Sequence, residues 1–234
     1  MPILQCPKLG DNILEQTHVA IAGTTGSGKS VLLQQILYAL FCRDPKKNGA
    51  VLIDPKRVEL SRFGRFPHVW SIDTEPGGMR AALQYTVNAM EHRYKVMRAN
   101  GLTDWPGPAV YVVIDELADL VTNDAQALDA LVKLGRLGRA AKIHLICATQ
   151  SPDRKTLSAQ LVQNFTARVA LRCRDRIESR QILGAPGAET LPKYGRCLYY
   201  SPDTLQPVPV NVLRIDQAAW DALGDCYNGI RVNI

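Results

Sequence analysis

Residues 23–30 read Gly-Thr-Thr-Gly-Ser-Gly-Lys-Ser, a full octet of the form G-x-x-x-x-G-K-[ST]. The residues before it, His18 to Ala22, form a short apolar run. Those after it, Val31 to Phe41, carry apolar side chains at helical spacing. A strand, a glycine-rich turn and a helix in that order are the setting in which such an octet cradles phosphate. Backbone N–H groups of Gly23, Thr24, Thr25, Gly26, Ser27 and Gly28 can close around a triphosphate, and the helix start adds partial positive charge. Lys29 then reaches the β- and γ-phosphates, and the Ser30 hydroxyl is placed for Mg²⁺. The alternative, a glycine-rich turn that binds nothing, does not need the complete octet. ATP and Mg²⁺ are the expected cofactors.

Apolar strands alternate with helical stretches along the rest of the chain, which predicts an α/β fold with a mostly parallel central sheet flanked by helices. Strands are expected at 18–22, 50–53, 69–72, 109–114, 143–148 and 167–172. A closing β-hairpin is expected from 197–200 and 208–213. Helices are expected at 29–41, 79–99, 125–137 and 176–183, with a short helical piece near 58–63. Glu75 to Gly78 reads as a turn, and 151–158 as a polar loop. The expected organisation is a short N-terminal extension (1–16), one motor domain (17–215) and a C-terminal tail (216–234). A length of 234 residues with 46% hydrophobic residues suits one such core.

No apolar run reaches the ~18 residues of a membrane span, so no direct membrane insertion is expected. The start of the chain lacks the basic-then-apolar pattern of a secretory signal. Six scattered cysteines without a C-x-x-C pair read as reduced thiols of a cytoplasmic protein. The formal charge of +6 favours a polyanionic partner. Basic residues concentrate in 133–142 (Lys133, Arg136, Arg139, Lys142) and in 168–180, and the two clusters together add phosphate contacts, of nucleotide or nucleic acid, to that expectation.

A second run, Tyr111-Val112-Val113-Ile114-Asp115-Glu116, ends an apolar strand on two carboxylates. Asp115 would hold Mg²⁺ opposite Ser30. Glu116 would act on the water attacking the γ-phosphate, which points to hydrolysis. A third run, Ile143 to Gln150, places Gln150 at a strand end where it can sense the γ-phosphate or position the water. The competing possibility is that Thr149 and Gln150 only turn the chain.

These runs, with Ile53-Asp54-Pro55-Lys56, Glu59-Leu60, Met90-Glu91, Arg93-Tyr94-Lys95, Arg139-Ala140-Ala141, Ser179-Arg180 and Gly187-Ala188-Glu189 in order, resemble the motor domain of the FtsK/SpoIIIE DNA translocases, within the HerA/FtsK group of RecA-like ATPases. The resemblance covers roughly residues 17–213. It implies a RecA-like P-loop NTPase fold and a ring, a hexamer, that pumps double-stranded DNA. It also implies ATP bound between subunits, with Arg139 as an arginine finger supplied in trans; Arg136 is its rival at helical spacing. Arg180 becomes a nucleotide-contact candidate. Arg154 and Lys155, in the family's DNA-facing loop, become DNA-contact candidates. Lys56 and Glu59 match a family run whose role is either subunit coupling or plain structure. The family's Gly-Asp near the last strands is Gly195-Arg196 here, and no segment matches its winged-helix module. An excised motor domain and a stand-alone motor of a mobile element both remain open. Two other functions compete: driving protein export as in type VII secretion, and nucleotide-gated assembly without turnover.

Overall fold

The computed structural model describes residues 8–122 and 124–228. Cys6, the first seven residues of the expected extension and the last six of the expected tail lie outside them. In chain order the elements are α1 (Lys8–Leu14), β1 (His18–Ala22), α2 (Lys29–Phe41), β2 (Asn48–Ile53), β3 (Val69–Asp73), α3 (Pro76–Ala99), β4 (Ala109–Ile114), α4 (Leu117–Val121), α5 (Ala125–Leu137), β5 (Ile143–Thr149), α6 (Ala159–Val162), β6 (Ala167–Ala170), α7 (Arg176–Leu183), β7 (Arg196–Tyr200), β8 (Val208–Asn211) and α8 (Gln217–Cys226).

The strands form one eight-stranded sheet in the order β3-β2-β4-β5-β1-β6-β7-β8. The pairings from β3 through β6 are all parallel, and β7 and β8 close the sheet antiparallel. β1 and β4 are buried over nearly their whole length, because helices cover both faces of a parallel sheet. One face is covered by α1, α2 and α8, and the other by α3, α5, α6 and α7. α2 is apolar on all sides, so its outer surface also needs cover. Leu9 and Ile13 of α1 and Trp220 and Leu223 of α8 join its cluster, with Trp220 packed edge-on against Tyr38 at 5.1 Å between ring centroids.

Several expected boundaries move for local reasons. The predicted turn at Glu75–Gly78 is instead the start of α3: Glu75 is the N-cap and Pro76 the first helical residue. Proline fits there because its fixed φ is already helical and the first-turn N–H groups have no helical partner. The helical piece near 58–63 is a 3₁₀ turn at Ser61–Arg65, started by the Leu60 N–H on Asp54 Oδ2 (2.8 Å). β2 begins two residues earlier than expected, paired with β4 from Asn48. β6 ends at Ala170, and α6, capped by Ser158, has too few residues to show a helical period.

Two buried histidines, His18 and His68, and the half-buried His144 make this core acid-sensitive. His18 Nδ1 accepts the Leu145 N–H at 3.0 Å, so the ring is neutral in the fold. Burial, and then the neighbouring His144, pull its pKa down to about 4 from an ordinary 6.5. Burial likewise lowers His68 and His144. A depressed histidine pKa means that the unfolded chain binds the extra proton, so stability is lost as pH falls from about 6.5 toward 4. His18 alone contributes on the order of 3 kcal/mol to this loss. Urea unfolding at pH 7 and pH 4.5 should show a much earlier midpoint at the lower pH; equal midpoints would refute the assignment.

Candidate nucleotide site

The octet forms the turn between β1 and α2, at the carboxyl end of the parallel strands, where open α/β sheets bind ligands. Its glycines are required by geometry. Gly26 (φ 73°) and Gly28 (φ 99°) adopt left-handed backbone that other residues resist. A Cβ on Gly23 would lie 2.5 Å from Ser27 Oγ and 2.8 Å from Leu171 Cβ. The loop is anchored to both neighbouring strands. Gly23 N–H donates to the Thr149 carbonyl (3.3 Å), and Thr24 N–H and Oγ1 donate to the Arg172 carbonyl (2.9 and 3.1 Å).

Lys29 is buried, and its ammonium turns back toward the end of β4. Its Nζ donates to the Asp115 carbonyl (2.6 Å) and to Asp115 Oδ1 (3.2 Å), and lies 3.7 Å from Glu116 Oε2. Asp115 and Glu116 are themselves buried, at 1% and 3% exposure, so the two carboxylates depend on local cations. Burial raises the Asp115 pKa against the opposing pull of Lys29. Burial also opposes Glu116 ionisation, but Lys56, Lys29, Thr149 and Gln150 outweigh it and hold that carboxyl below its usual range.

Glu116 is fixed on every side. Thr149 Oγ1 donates to Oε1 (2.7 Å), Gln150 N–H donates to Oε1 (3.0 Å), and Lys56 Nζ donates to Oε2 (2.8 Å). The Gln150 side chain faces the other way, its Oε1 accepting from Thr25 Oγ1 at 2.7 Å. Thr25 of the phosphate loop is thus joined through Gln150 to Glu116, and Glu116 to Lys56, three residues past β2. Thr149 and Lys56 had no assigned place in the site. Their only signal in the sequence is position: Thr149 ends β5 and Lys56 lies just past β2, the two strands that flank β4.

The other candidates lie apart from this cluster. Arg139 is exposed in the turn between α5 and β5, at the end of the sheet opposite the loop. The seven residues of β5 put ~20 Å between that turn and the site. Arg136 is exposed in the last turn of α5. Arg154 and Lys155 are exposed on a loop folded around Asp153, whose Oδ1 accepts the N–H groups of Lys155 (2.9 Å) and Thr156 (2.8 Å). Arg180 and Arg154 line a surface groove of about 640 Å³ with Leu157, Val162 and Ile177. Glu59 is exposed.

The residues present suit a magnesium triphosphate. Ser27 Oγ is buried without a hydrogen-bond partner beside the left-handed glycines. Ser30 and Asp115 are hard oxygen donors from α2 and the end of β4. No group of three or more His, Cys, Asp or Glu side chains that could hold a metal occurs among the described residues. A cation here would therefore rely on phosphate oxygens as well, as Mg²⁺ commonly does. None of the five cysteines among the described residues is in a disulfide, and burial pushes Cys173 and Cys197 up to about 12, away from reactivity.

Fold and site together define a P-loop ATPase domain. The model of the FtsK/SpoIIIE family matches residues 7–107 and 103–154. The chain belongs to that family. It is 34% identical over 230 residues to the DNA translocase FtsK of Chlamydia trachomatis, covering 86% of this chain and 29% of the relative. With the Agrobacterium fabrum DNA translocase FtsK it shares 32% over 238 residues, 82% of this chain and 27% of the relative. The chain thus spans under a third of the length of these relatives. Among solved structures, it is similar to the monomer form of the pCW3 conjugation coupling protein TcpA with ATPγS (TM-score 0.78, 26% identity, 88% of this chain and 62% of that one). The cytoplasmic domain of the type VII secretion ATPase EccC of Thermomonospora curvata shares the fold (TM-score 0.80, 24% identity, 92% and 28%). No helix among the described residues is long and apolar enough to cross a membrane.

Proposed function

We propose that this chain is a cytoplasmic motor domain that hydrolyses Mg²⁺-ATP and moves double-stranded DNA through a ring, a hexamer, of like chains. The observation that carries this is the run 149–155. Thr149 and Gln150 grip Glu116, Gln150 bonds to the phosphate loop, and the next residues form the exposed Arg154-Lys155 loop. One short segment thereby joins the carboxylate expected to act on water to a basic loop suited to sequence-blind phosphate contacts.

In this mechanism the octet N–H groups and Lys29 bind the triphosphate, and Ser30 and Asp115 hold the cation. Bound Mg²⁺ supplies charge neutralisation on the phosphate oxygens. Lys29 swings from Asp115 toward the phosphates. Glu116, kept ionised by its cationic neighbours, orients the water and accepts its hydrogen bond. Gln150, which bridges Thr25 and Glu116, is positioned to register phosphate loss and pass it to the 151–158 loop. Arg139 cannot reach the site of its own chain, so it would stabilise charge on the phosphoryl group held by a neighbour. Arg180, beside Arg154 on the groove, would meet phosphate only outside its own loop, on a neighbour's nucleotide or on DNA.

ATP turnover should rise at least severalfold with linear duplex DNA, and the rise should fade with salt as phosphate contacts are screened. Both are read in a steady-state ATPase assay beside the mass of the assembly. Turnover indifferent to DNA would favour export of a secreted peptide and remove the DNA motor.

A further inference from the structure

The run Glu91, Arg93, Tyr94 on α3 takes no part in the site just described, yet all three side chains reach toward α5 or the turn that follows it. Glu91 pairs with Lys133 of α5 at 2.8 Å. Tyr94 Oη donates to the Leu137 carbonyl at 2.7 Å, and Arg93 Nη1 donates to the Ala141 carbonyl at 2.6 Å. Leu137 and Ala141 stand two residues on either side of Arg139. Between them the Ala140 carbonyl accepts the Trp105 N–H (2.8 Å), and Lys142 N–H closes the turn on the Arg139 carbonyl (3.0 Å). Lys142 itself takes left-handed backbone (φ 51°), which is uncommon for a residue other than glycine.

The Arg139 backbone is therefore tied at several points, while its side chain is exposed and has no hydrogen-bond or ion-pair partner among the described residues. Carbonyls at the end of a surface helix can be satisfied by water. Here the Leu137 carbonyl is met by Tyr94 instead, and the Ala141 carbonyl in the following turn by Arg93, a residue only 7% exposed whose guanidinium is stacked over the Trp105 ring at 5.1 Å. Burying a cation is unfavourable unless it is hydrogen-bonded, and the Ala141 carbonyl meets that need here. That bond, with the one from Tyr94, ties the backbone two residues on either side of Arg139.

We propose that Arg93 and Tyr94 are positioning residues for Arg139, holding the backbone on both sides of it so that its guanidinium is presented to the nucleotide of the adjoining chain. This rests on the trans role proposed above. Small displacements of a charge-stabilising group lower the rate steeply, up to roughly a hundredfold for 1 Å. A brace of this kind acts on kcat and leaves a protomer's own hold on nucleotide unchanged.

The test is a double-mutant cycle on the full chain, assayed with ATP and duplex DNA. Tyr94→Phe removes one hydroxyl and keeps the ring, so the fold should persist, checked by thermal melting. It should lower kcat roughly three- to tenfold, with unchanged affinity for a non-hydrolysable ATP analogue. In an Arg139→Ala background the same substitution should lower kcat no further, since there is nothing left to position. Arg93→Lys, which keeps a charged donor, should recover much of the rate lost in Arg93→Met. Equal fold-losses with and without Arg139 would overturn the brace and leave the finger standing; so would a silent Tyr94→Phe in the wild-type background. Wild-type turnover in Arg139→Ala alone would overturn the trans arginine and the brace with it.

Discussion

Lys29→Ala should abolish ATP turnover, lowering kcat by at least a hundredfold, about the loss seen when one preorganised donor to a developing oxyanion is removed. Two separate effects meet in this residue. Its ammonium sits between Asp115 and Glu116, at 3.2 and 3.7 Å; in the proposed mechanism it is the charge aimed at the β- and γ-phosphates once nucleotide binds. The substitution therefore also strands a carboxylate that is 1% exposed. Losing one partner of a buried pair typically destabilises by about 3–5 kcal/mol. The loss should be smaller here, because burial already raises the Asp115 pKa and proton uptake can neutralise it. The sign follows. A carboxyl whose pKa is raised in the fold binds more protons folded than unfolded, so the deficit relative to wild type should grow as pH rises above the ordinary aspartate value. Turnover, analogue binding and denaturant midpoints at pH 5 and pH 8 check the three parts. Turnover near the wild-type rate would remove the phosphate-loop mechanism altogether.

The parts of this site that could be located from sequence are those written as contiguous patterns. The octet with its flanking strand and helix, and the apolar run ending on Asp115-Glu116, are read from neighbouring residues, because strand and helix periods are local. The bounds of α2, β4, α5 and α7 fall where the spacing put them. What sequence could not show is which strand ends meet. The Thr25–Gln150 bond spans 125 positions and the Lys56–Glu116 bond 60. Both exist only because β4 and β5 lie between β2 and β1 in the sheet. Strand order is set by crossovers packing helices on two faces, and one sequence does not state it. Hence Lys56 read equally well as coupling or as structure, and Thr149 only as a residue that turns the chain. The misread start of α3 has the opposite cause. Glu-Pro-Gly-Gly carries a strong turn signal, but Pro at the first helical position is as compatible with a helix start, and a long amphipathic partner decided the matter.

Glu116→Gln should separate catalysis from binding. The amide keeps the size of the carboxylate, and its carbonyl can still accept from Thr149 Oγ1 and the Gln150 N–H, now at 2.7 and 3.0 Å from Oε1. The opposite oxygen becomes an NH₂ group facing Lys56 Nζ, which sat at 2.8 Å. The Lys56 side chain is 34% exposed, so it can turn to water. Fold and cradle should therefore persist, and the two hydrogen bonds that place residue 116 survive. What is lost is a negatively charged acceptor for the attacking water. General-base steps of this type contribute about a hundred- to ten-thousandfold, and kcat should fall within that range while ATP affinity stays within a fewfold of wild type. The variant should then retain unhydrolysed ATP, seen as triphosphate recovered from the isolated protein after incubation. A wild-type chain that itself releases no phosphate, alone or with DNA, would instead fit a nucleotide-gated assembly module. An equal loss of binding and turnover in Glu116→Gln would mean that the residue holds the site together and does not act on the water.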